Sequence, residues 1–247
     1  RQLSLDGLGP APELGPSGRR SYTLEQVNEL RAYLASARPR EALKFWPRRR
    51  GDDKLQVITI ANFKGGSAKT TTSLYLAQGL ALKGFRVLAI DLDPQASLSS
   101  MFGLQPEFDI AENATLYGAI RYDDLRVSMR EVVRPTYFSG ISIVPGTLEL
   151  MEFEHQTPRH MMEGRSRPED LFFRRVARAI AEVDQDFDVV VIDCPPQLGF
   201  LTMGALNAAT GMVVTVHPQM VDIASMSQFL LMTSDLIAVI EEDGGKL

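Results

Sequence analysis

At 247 residues, the chain is long enough for one large domain with a buried core and a smaller one beside it. Its hydrophobic content of 45% and charged content of 23% are typical of soluble globular proteins. The single cysteine excludes an internal disulfide framework and a multi-cysteine metal cluster, and without an apolar run of about 18 residues no membrane span is expected.

The net charge of −5 conceals an asymmetry along the chain. Residues 1–54 carry 11 Lys and Arg against 7 Asp and Glu, whereas the remaining residues carry 15 against 24. A basic segment ahead of an acidic body favours polyanion binding by the first part only, although a solvated basic face is the alternative. The chain begins on Arg1, shows no secretory leader and stops after "EEDGGKL", so we expect a fragment without its natural N-terminus and with an incomplete sheet.

The N-terminal segment contains a turn-rich stretch, a helix and a connector. Residues 7–20, "GLGPAPELGPSGRR", are dense in Gly and Pro and predict a loop or β-wing. Thr23 then precedes apolar residues at helical spacing, which predicts a helix with Thr23 as its N-cap and Gln26 as the capping-box partner. Residues 38–53 hold two prolines, three consecutive arginines and a Gly-Asp-Asp break, and predict a linker.

From Leu55 onwards, strands and helices alternate. Short runs rich in β-branched residues predict strands at 55–61, 86–91, 140–146, 187–193 and 211–216. Helical spacing predicts helices at 71–84 and 201–209, and a polar, amphipathic helix at about 171–180; residues 103–139 show no clear pattern. Alternating strands and helices predict an α/β fold with a mostly parallel β-sheet flanked by helices.

The loop between the first of these strands and its helix, "NFKGGSAKTTT", has the chemistry of a phosphate-binding loop. It departs from the pattern G-x-x-x-x-G-K-[ST] at Phe63 and Ala68, where glycines are expected. Alanine costs little at position 68 if its backbone is right-handed, and glycine is needed there only if φ is positive. A tight strand-to-helix turn without a ligand is the alternative reading of this stretch.

Within the loop, the remaining positions carry the groups that a bound phosphate requires. Gly65 and Gly66 allow the backbone to turn and to approach an anion closely. Lys69 and Thr70 stand in the positions of the phosphate-binding lysine and the Mg²⁺-ligating hydroxyl, and Thr71 can bind phosphate from the first helical turn.

Acidic residues follow two other predicted strands. "AIDLDPQ" places Asp91 and Asp93 at the end of one strand, and "VVVIDCPPQLG" places Asp193 at the end of another. Because ligands bind at the carboxyl ends of the strands in open α/β sheets, we expect the loop and these carboxylates at one edge. A single Asp at a strand end is often a cap, but three carboxylates beside such a loop predict a Mg²⁺–nucleotide site.

The motifs K-G-G-x-x-K-T-T, D-x-D-P-Q and a hydrophobic strand ending D-x-P-P together resemble the deviant Walker A ATPases of the ParA/MinD superfamily, which are P-loop NTPases. The resemblance implies ATP or ADP and Mg²⁺ as cofactors. It makes Lys64 the signature lysine, which reaches the nucleotide of a second subunit as an arginine finger does. An exposed loop lysine without such a role is the alternative.

The same resemblance implies roles for the other site residues. Lys69 binds the β- and γ-phosphates, Asp93 positions the attacking water, and Lys64, Asp93 and Lys69 form the catalytic set. Thr70 ligates Mg²⁺, and Asp93 and Asp193 complete the metal set, Asp193 through water. The nucleotide-binding loop comprises Lys64, Gly65, Gly66, Ser67, Ala68, Lys69, Thr70 and Thr71. This chain departs from the usual Val-Gly at Ser67 and Ala68, which bears on the rate of hydrolysis rather than on binding.

The N-terminal segment resembles the end of a MerR-like winged helix-turn-helix, a Gly/Pro wing followed by arginines, a tyrosine and a helix. Arg19, Arg20 and Tyr22 are then the expected DNA contacts, mainly to phosphates. A disordered basic leader is the alternative. The expected organisation is a partial DNA-binding domain at 1–37, a linker at 38–53 and a ParA-type ATPase domain at 54–247.

The D-x-D-P-Q form and the N-terminal segment resemble the plasmid partition branch, in particular the repABC-type ATPases. This implies ATP-dependent homodimerisation, operator and non-specific DNA binding, stimulation by a ParB/RepB-type centromere-binding protein, repression of its own operon and a cytoplasmic, nucleoid-associated location without a membrane. Two alternatives remain: a nucleotide-sensing transcriptional repressor, and a MinD-like membrane-surface ATPase whose C-terminal amphipathic helix would lie beyond Leu247.

Overall fold

The computed structural model describes residues 9–62, 64–163 and 171–242 of the chain. Parts of the predictions lie outside these ranges: the first eight residues of the predicted N-terminal domain, which include the start of the wing at residues 7 and 8, Phe63 of the loop, and the end of the predicted ATPase domain from residue 243 on. Within the described ranges, no helix combines the length and the apolar character that crossing a membrane requires.

A mostly parallel sheet forms the centre of the fold. Its strands, in the spatial order β5-β6-β4-β7-β3-β8, are parallel except for β5, which pairs antiparallel with β6 at one edge. The strands are β3 (Gln56–Ala61), β4 (Val87–Asp91), β5 (Arg134–Pro135), β6 (Ile141–Val144), β7 (Val189–Asp193) and β8 (Gly211–Val214). Each of the five predicted strands is observed, and the predicted α/β fold class with a mostly parallel sheet is confirmed.

Helices flank the sheet. The longer ones are α3 (Lys69–Lys83), α8 (Leu150–Met162), α9 (Phe172–Ala181), α10 (Phe200–Ala208) and α11 (Met220–Glu242). A short helix, α4 (Ser97–Met101), follows β4, and three more lie in the region 103–139 that has no clear sequence pattern: α5 (Pro106–Asp109), α6 (Leu116–Ile120) and α7 (Met129–Val132). Gly84 caps the C-terminal end of helix α3. Its φ of +101° favours glycine, and its N–H donates to carbonyl oxygens of the last helical turn.

The two faces of the sheet are buried in two separate cores. Along β7, Val190 and Ile192 pack in the core that includes α8, α9 and α10, whereas Val189 and Val191 pack in the core beneath α3. Successive side chains of a strand point to opposite faces, so burial on both sides requires a continuous apolar run. This is why the central strands read as unbroken hydrophobic stretches in the sequence.

The N-terminal part forms a small hairpin and a helix that lie against this body. Strands β1 (Glu13–Leu14) and β2 (Arg20–Ser21) pair antiparallel, and α1 (Leu24–Ala37) follows. The predicted capping box is confirmed, since Thr23 and Gln26 exchange backbone-to-side-chain hydrogen bonds of 3.0 and 3.3 Å. The hairpin lies where the sequence predicts a wing. The winged helix-turn-helix and the division of the chain into domains stay predictions.

The connector at 38–53 contains a 3₁₀ turn (Pro39–Glu41) and α2 (Ala42–Phe45), and it is bonded to the body. The indole N–H of Trp46 donates to the carbonyl oxygen of Gly84 over 2.9 Å. The Arg49 guanidinium donates to the carbonyl oxygens of Asp184 and Phe187 over 2.6 and 2.9 Å and forms an ion pair with Asp184. These bonds hold the connector against the C-terminal end of α3 and the start of β7.

Candidate functional site

The phosphate-type loop lies between the end of β3 and the start of α3. Gly66 has φ +74°, a conformation that favours glycine. A Cβ added at Gly65 or Gly66 would meet no described atom within 4 Å, so this side of the loop is open. The first N–H groups of a helix attract anions, and α3 begins at Lys69, directly after the loop. The backbone is therefore suited to hold a phosphate.

Ala68 has φ +65° and ψ +26°, in the left-handed region. The backbone at position 68 therefore has the positive φ for which glycine is needed, and the chain carries an alanine there. A non-glycine residue in this region costs about 1–2 kcal/mol. The strain is held in place by α3, because the amide and hydroxyl of Thr72 both donate to the Ala68 carbonyl oxygen over 2.9 and 2.8 Å.

Lys69 is 7% exposed, and its ammonium group donates to the carbonyl oxygen of Lys64 over 3.0 Å. Burial lowers the pKa of Lys69, whereas the charges of Asp193 and Asp93 oppose that shift. A buried lysine beside two carboxylates and a helix N-terminus can bind a phosphate as a point charge. Lys64 itself is half-buried in the loop.

Asp193 lies at the end of β7, fully buried beneath the loop. The Ser73 hydroxyl of α3 donates to Asp193 Oδ1 over 2.9 Å, while Oδ2 has no hydrogen-bond partner among the described residues. Burial raises the pKa of Asp193 to about 6, and the nearby hydroxyl groups of Thr70 and Ser73 oppose this shift. A buried carboxylate oxygen without a partner is costly and is the kind of group that a cation or its bound water satisfies.

Asp93 follows β4 and is half-buried. Its Oδ1 accepts the backbone N–H of Gln95 over 3.0 Å, and its own N–H donates to Asp91 Oδ1 over 3.2 Å. Register pairing sets Asp91 directly beside Asp193 on the neighbouring strand. The expectation that the loop and the three carboxylates share one edge of the sheet is met, because β4, β7 and β3 are adjacent and parallel.

Two buried residues of this edge had no individual role in the predicted site. Asp91 is fully buried, and its Oδ2 accepts the N–H and the hydroxyl of Ser99 over 2.8 and 2.7 Å. Burial raises the pKa of Asp91 to about 7, which the bonds from Ser99 oppose. Ser73, which contacts Asp193, is the other. The D-x-D spacing pointed to Asp91, but no sequence signal pointed to Ser73 beyond its place one turn after Lys69.

The described residues contain no group of three His, Cys, Asp or Glu side chains placed to hold a metal ion. Mg²⁺ in nucleotide sites takes one or two protein ligands and completes its shell with water and phosphate oxygens. The Thr70 hydroxyl and the unpartnered oxygen of Asp193 fit that requirement. The predicted metal set of Thr70, Asp93 and Asp193 stays a prediction.

The remaining residues singled out in the sequence are the cysteine, Thr71 and the expected DNA contacts of the N-terminal segment. Cys194 is buried, and burial raises its pKa well above the usual range, so the thiol is unreactive. Thr71 is exposed on the first turn of α3. Arg19 and Arg20 are exposed at the hairpin, and Tyr22 is half-buried after it, outside the phosphate-type loop.

The chain is similar to a known protein family and to several known proteins. The chain matches the AAA domain family over residues 55–243. It is 55% identical to "Putative replication protein A" from Rhizobium rhizogenes over 233 residues, which are 94% of this chain and 57% of that protein. It is 33% identical to Protein SopA from Escherichia coli K12 over 249 aligned residues, which cover 99% of this chain and 61% of SopA. The chain thus spans less than two thirds of these curated relatives.

Among solved structures, cobyrinic acid a,c-diamide synthase from Mycobacterium smegmatis, with bound ADP and magnesium, is similar in fold and sequence. Its TM-score is 0.62 at 31% identity, and the match covers 76% of this chain and 69% of that one. The architecture is accordingly that of the α/β P-loop NTPases. With its loop, its strand-end carboxylates and its match over residues 55–243, the chain belongs to the AAA domain family and, within it, to the ParA family.

Proposed function

We propose that the chain binds ATP with Mg²⁺, dimerises around the nucleotide, hydrolyses it slowly and uses this cycle to segregate plasmid or chromosomal DNA. One observation carries the proposal: the buried Asp193, one of whose oxygens has no hydrogen-bond partner among the described residues, interacts electrostatically with Lys69 at the end of a loop whose backbone is open to a phosphate. A Mg²⁺–nucleotide complex would satisfy both buried charges.

Each residue of the site then has a chemical task. The N–H groups from Gly65 to Thr71 and the Lys69 ammonium bind the β- and γ-phosphates. Thr70 would hold Mg²⁺ directly and Asp193 would hold it through water, and the bound ion would supply positive charge to the phosphate oxygens. Asp93 orients the attacking water. Lys64 acts on the nucleotide of the second subunit, where a cation stabilises the charge that develops during transfer.

The relatives support this reading. The synthase structure was solved with ADP and magnesium in a similar fold, and the related proteins of plasmid type include SopA. Because the chain covers only part of those relatives, their activity is carried over as a proposal.

Three lysine variants test the proposal. We expect Lys69→Ala to abolish measurable nucleotide binding, whereas Lys64→Ala retains ADP binding but loses partner-stimulated ATP turnover by about 100-fold or more. Lys83→Ala, on the last turn of the same helix and exposed, is the matched control and keeps both activities. Normal hydrolysis by Lys64→Ala in the presence of the partner protein would exclude the trans-lysine mechanism.

We further propose that the protein binds DNA in its ATP state. Arg19 and Arg20 are exposed on a hairpin that precedes a capped helix, and residues 1–54 are basic while the remainder is acidic. Arginines on such a wing contact phosphates and set the register of the protein on the duplex. Nucleoid association in the bacterial cytoplasm follows from non-specific binding of this kind.

The proposed partner is a ParB/RepB-type centromere-binding protein. A groove of about 650 Å³ is lined by Pro94, which directly follows Asp93, and by three acidic residues, Glu107, Glu112 and Glu152. A basic segment of the partner would complement this charge and lie next to the residue that orients water. Addition of the purified partner is expected to accelerate ATP hydrolysis, and Glu152→Gln is expected to weaken that stimulation without changing the basal rate.

A nucleotide-sensing repressor is the second candidate, favoured by the same exposed wing arginines. In that case operator binding depends on which nucleotide is bound, and hydrolysis is incidental. Operator affinity measured with ADP and with ATP, in wild type and in Lys64→Ala, separates the two functions. If repression persists in a variant that cannot hydrolyse ATP while plasmid loss rises, the protein performs both.

A further inference from the structure

The segment that follows β8 is hydrogen-bonded to the phosphate-type loop, although the two lie far apart in the chain. The Thr215 hydroxyl donates to the Ser67 hydroxyl over 3.0 Å, and the Thr215 carbonyl oxygen accepts the side-chain amide of Asn62 over 2.5 Å. A ring nitrogen of His217 lies 2.9 Å from the Gly66 carbonyl oxygen. Loop and segment are thus joined at three points, which we name the loop anchor: Asn62, Ser67, Thr215 and His217.

The loop anchor acts on the backbone of Lys64. The Lys64 N–H donates to Asn62 Oδ1 over 3.0 Å, and the Lys64 carbonyl oxygen accepts the Ser67 hydroxyl over 3.1 Å. Asn62 and Ser67 are 6% and 5% exposed, so water does not readily replace these bonds. The two backbone groups of Lys64 are therefore held by side chains that Thr215 contacts, Ser67 through the Thr215 hydroxyl and Asn62 through the Thr215 carbonyl oxygen.

We propose that Thr215, through Asn62 and Ser67, is a positioning residue that fixes the backbone of Lys64 so that its side chain is directed correctly toward a second subunit. This rests on the proposed function of Lys64. It also gives Ser67 a role, since its hydroxyl donates to the Lys64 carbonyl oxygen and accepts the Thr215 hydroxyl. Phosphate binding within one subunit depends on Gly66, Lys69 and the start of α3, and is much less affected.

The test compares Thr215→Val, which removes the hydroxyl at nearly constant volume, with Thr215→Ser, which retains it. Three quantities are measured for each purified variant: ADP affinity, partner-stimulated ATP turnover, and hydrogen exchange of the Lys64 amide. We expect Thr215→Val, which removes the hydroxyl bond to Ser67 and leaves the carbonyl bond to Asn62, to lower kcat by about tenfold, as the loss of one buried hydrogen bond would. Asn62→Ala, which removes the acceptor of the Lys64 N–H, should accelerate Lys64 amide exchange by a similar factor. In Thr215→Val, ADP affinity should change less than about twofold, and Thr215→Ser should behave as wild type.

The double variant Ser67→Ala/Thr215→Val checks the route. If Thr215 acts through Ser67, the double variant is no slower than the more impaired single variant. An unchanged kcat in Thr215→Val overturns the inference, as does a loss of ADP affinity equal to the loss of kcat. A wild-type protein that does not hydrolyse ATP would refute the proposed function instead, and Lys64 amide exchange in Asn62→Ala would still decide whether the loop anchor holds the backbone of Lys64.

Discussion

The strained alanine of the loop makes a sharp prediction for Ala68→Gly. In the left-handed conformation seen at Ala68, an alanine side chain costs about 1–2 kcal/mol that glycine does not pay. Against this, glycine loses more conformational freedom on folding, about 0.5–1 kcal/mol relative to alanine. The difference leaves a net stabilisation of about 0.5–1 kcal/mol for Ala68→Gly.

Thermal unfolding without nucleotide measures this effect. For a chain of this size, the gain corresponds to a rise in Tm of about 1–4 °C. Ala96→Gly should stabilise the protein less, because Ala96 also has positive φ (+54°) but its methyl group is buried and its loss costs packing. Ala32→Gly, inside the right-handed helix α1, is the negative control and should lower stability by about 1 kcal/mol.

The sign of the stability change in Ala68→Gly shows whether the backbone at position 68 is left-handed in the unliganded protein. If Ala68→Gly destabilises the protein as much as Ala32→Gly does, position 68 is not left-handed in the unliganded protein and the strain argument is wrong. If it stabilises the protein as expected, the alanine is maintained at an energetic cost. A comparison of ATP turnover between Ala68→Gly and wild type then shows whether that cost changes the rate of hydrolysis.

Three further predictions follow from buried or exposed charges. Burial raises the pKa of Asp193 from 3.8 to about 6, so the folded state holds the proton of this carboxyl more tightly than the unfolded state does. The free energy of unfolding should therefore fall as pH rises from about 4 to about 6. Denaturant titrations should show that Asp193→Asn removes about 3 kcal/mol of this pH dependence. Arg49→Ala should cost about 2–3 kcal/mol and expose residues 38–53 to limited proteolysis, whereas the neighbouring Arg50→Ala, whose residue is exposed, should not. Arg20→Ala should weaken DNA binding by a similar factor on all sequences and lower the salt slope of log K by about one; an unchanged slope argues against a phosphate contact.

Much of the fold was predictable because the strands are buried on both faces. Runs such as "VVVI", which precedes Asp193, have no polar residue to place at a solvent-facing position, so they specify a strand in the middle of a covered sheet. The carboxyl ends of parallel strands meet at one edge, and so Asp93 and Asp193 could be expected near the loop from their positions alone. Helix α3 begins two residues earlier than its apolar spacing indicated, because Lys69 and Thr70 carry no hydrophobic signal.

Residues 103–139 were less predictable, since helices of four or five residues are too short to show a 3.6-residue period. The connector at 38–53 reads as a linker from its prolines and arginines, yet Trp46 and Arg49 bond to carbonyl groups of the body. Composition indicates where a chain turns, but it does not show which backbone oxygens a distant arginine will reach.

The loop itself shows where local sequence ceases to be informative. The pattern K-G-G-x-x-K-T-T identifies the phosphate-facing groups because they are consecutive and their geometry is set by the strand and helix on either side. The orientation of Lys64 depends instead on Thr215, some 150 positions away, through hydroxyl and amide bonds that no short motif encodes. The groups that bind phosphate are therefore specified locally, whereas the group proposed to act on a second subunit is held from another part of the sheet. Substitutions near β8 should accordingly affect cooperation between subunits before they affect nucleotide binding.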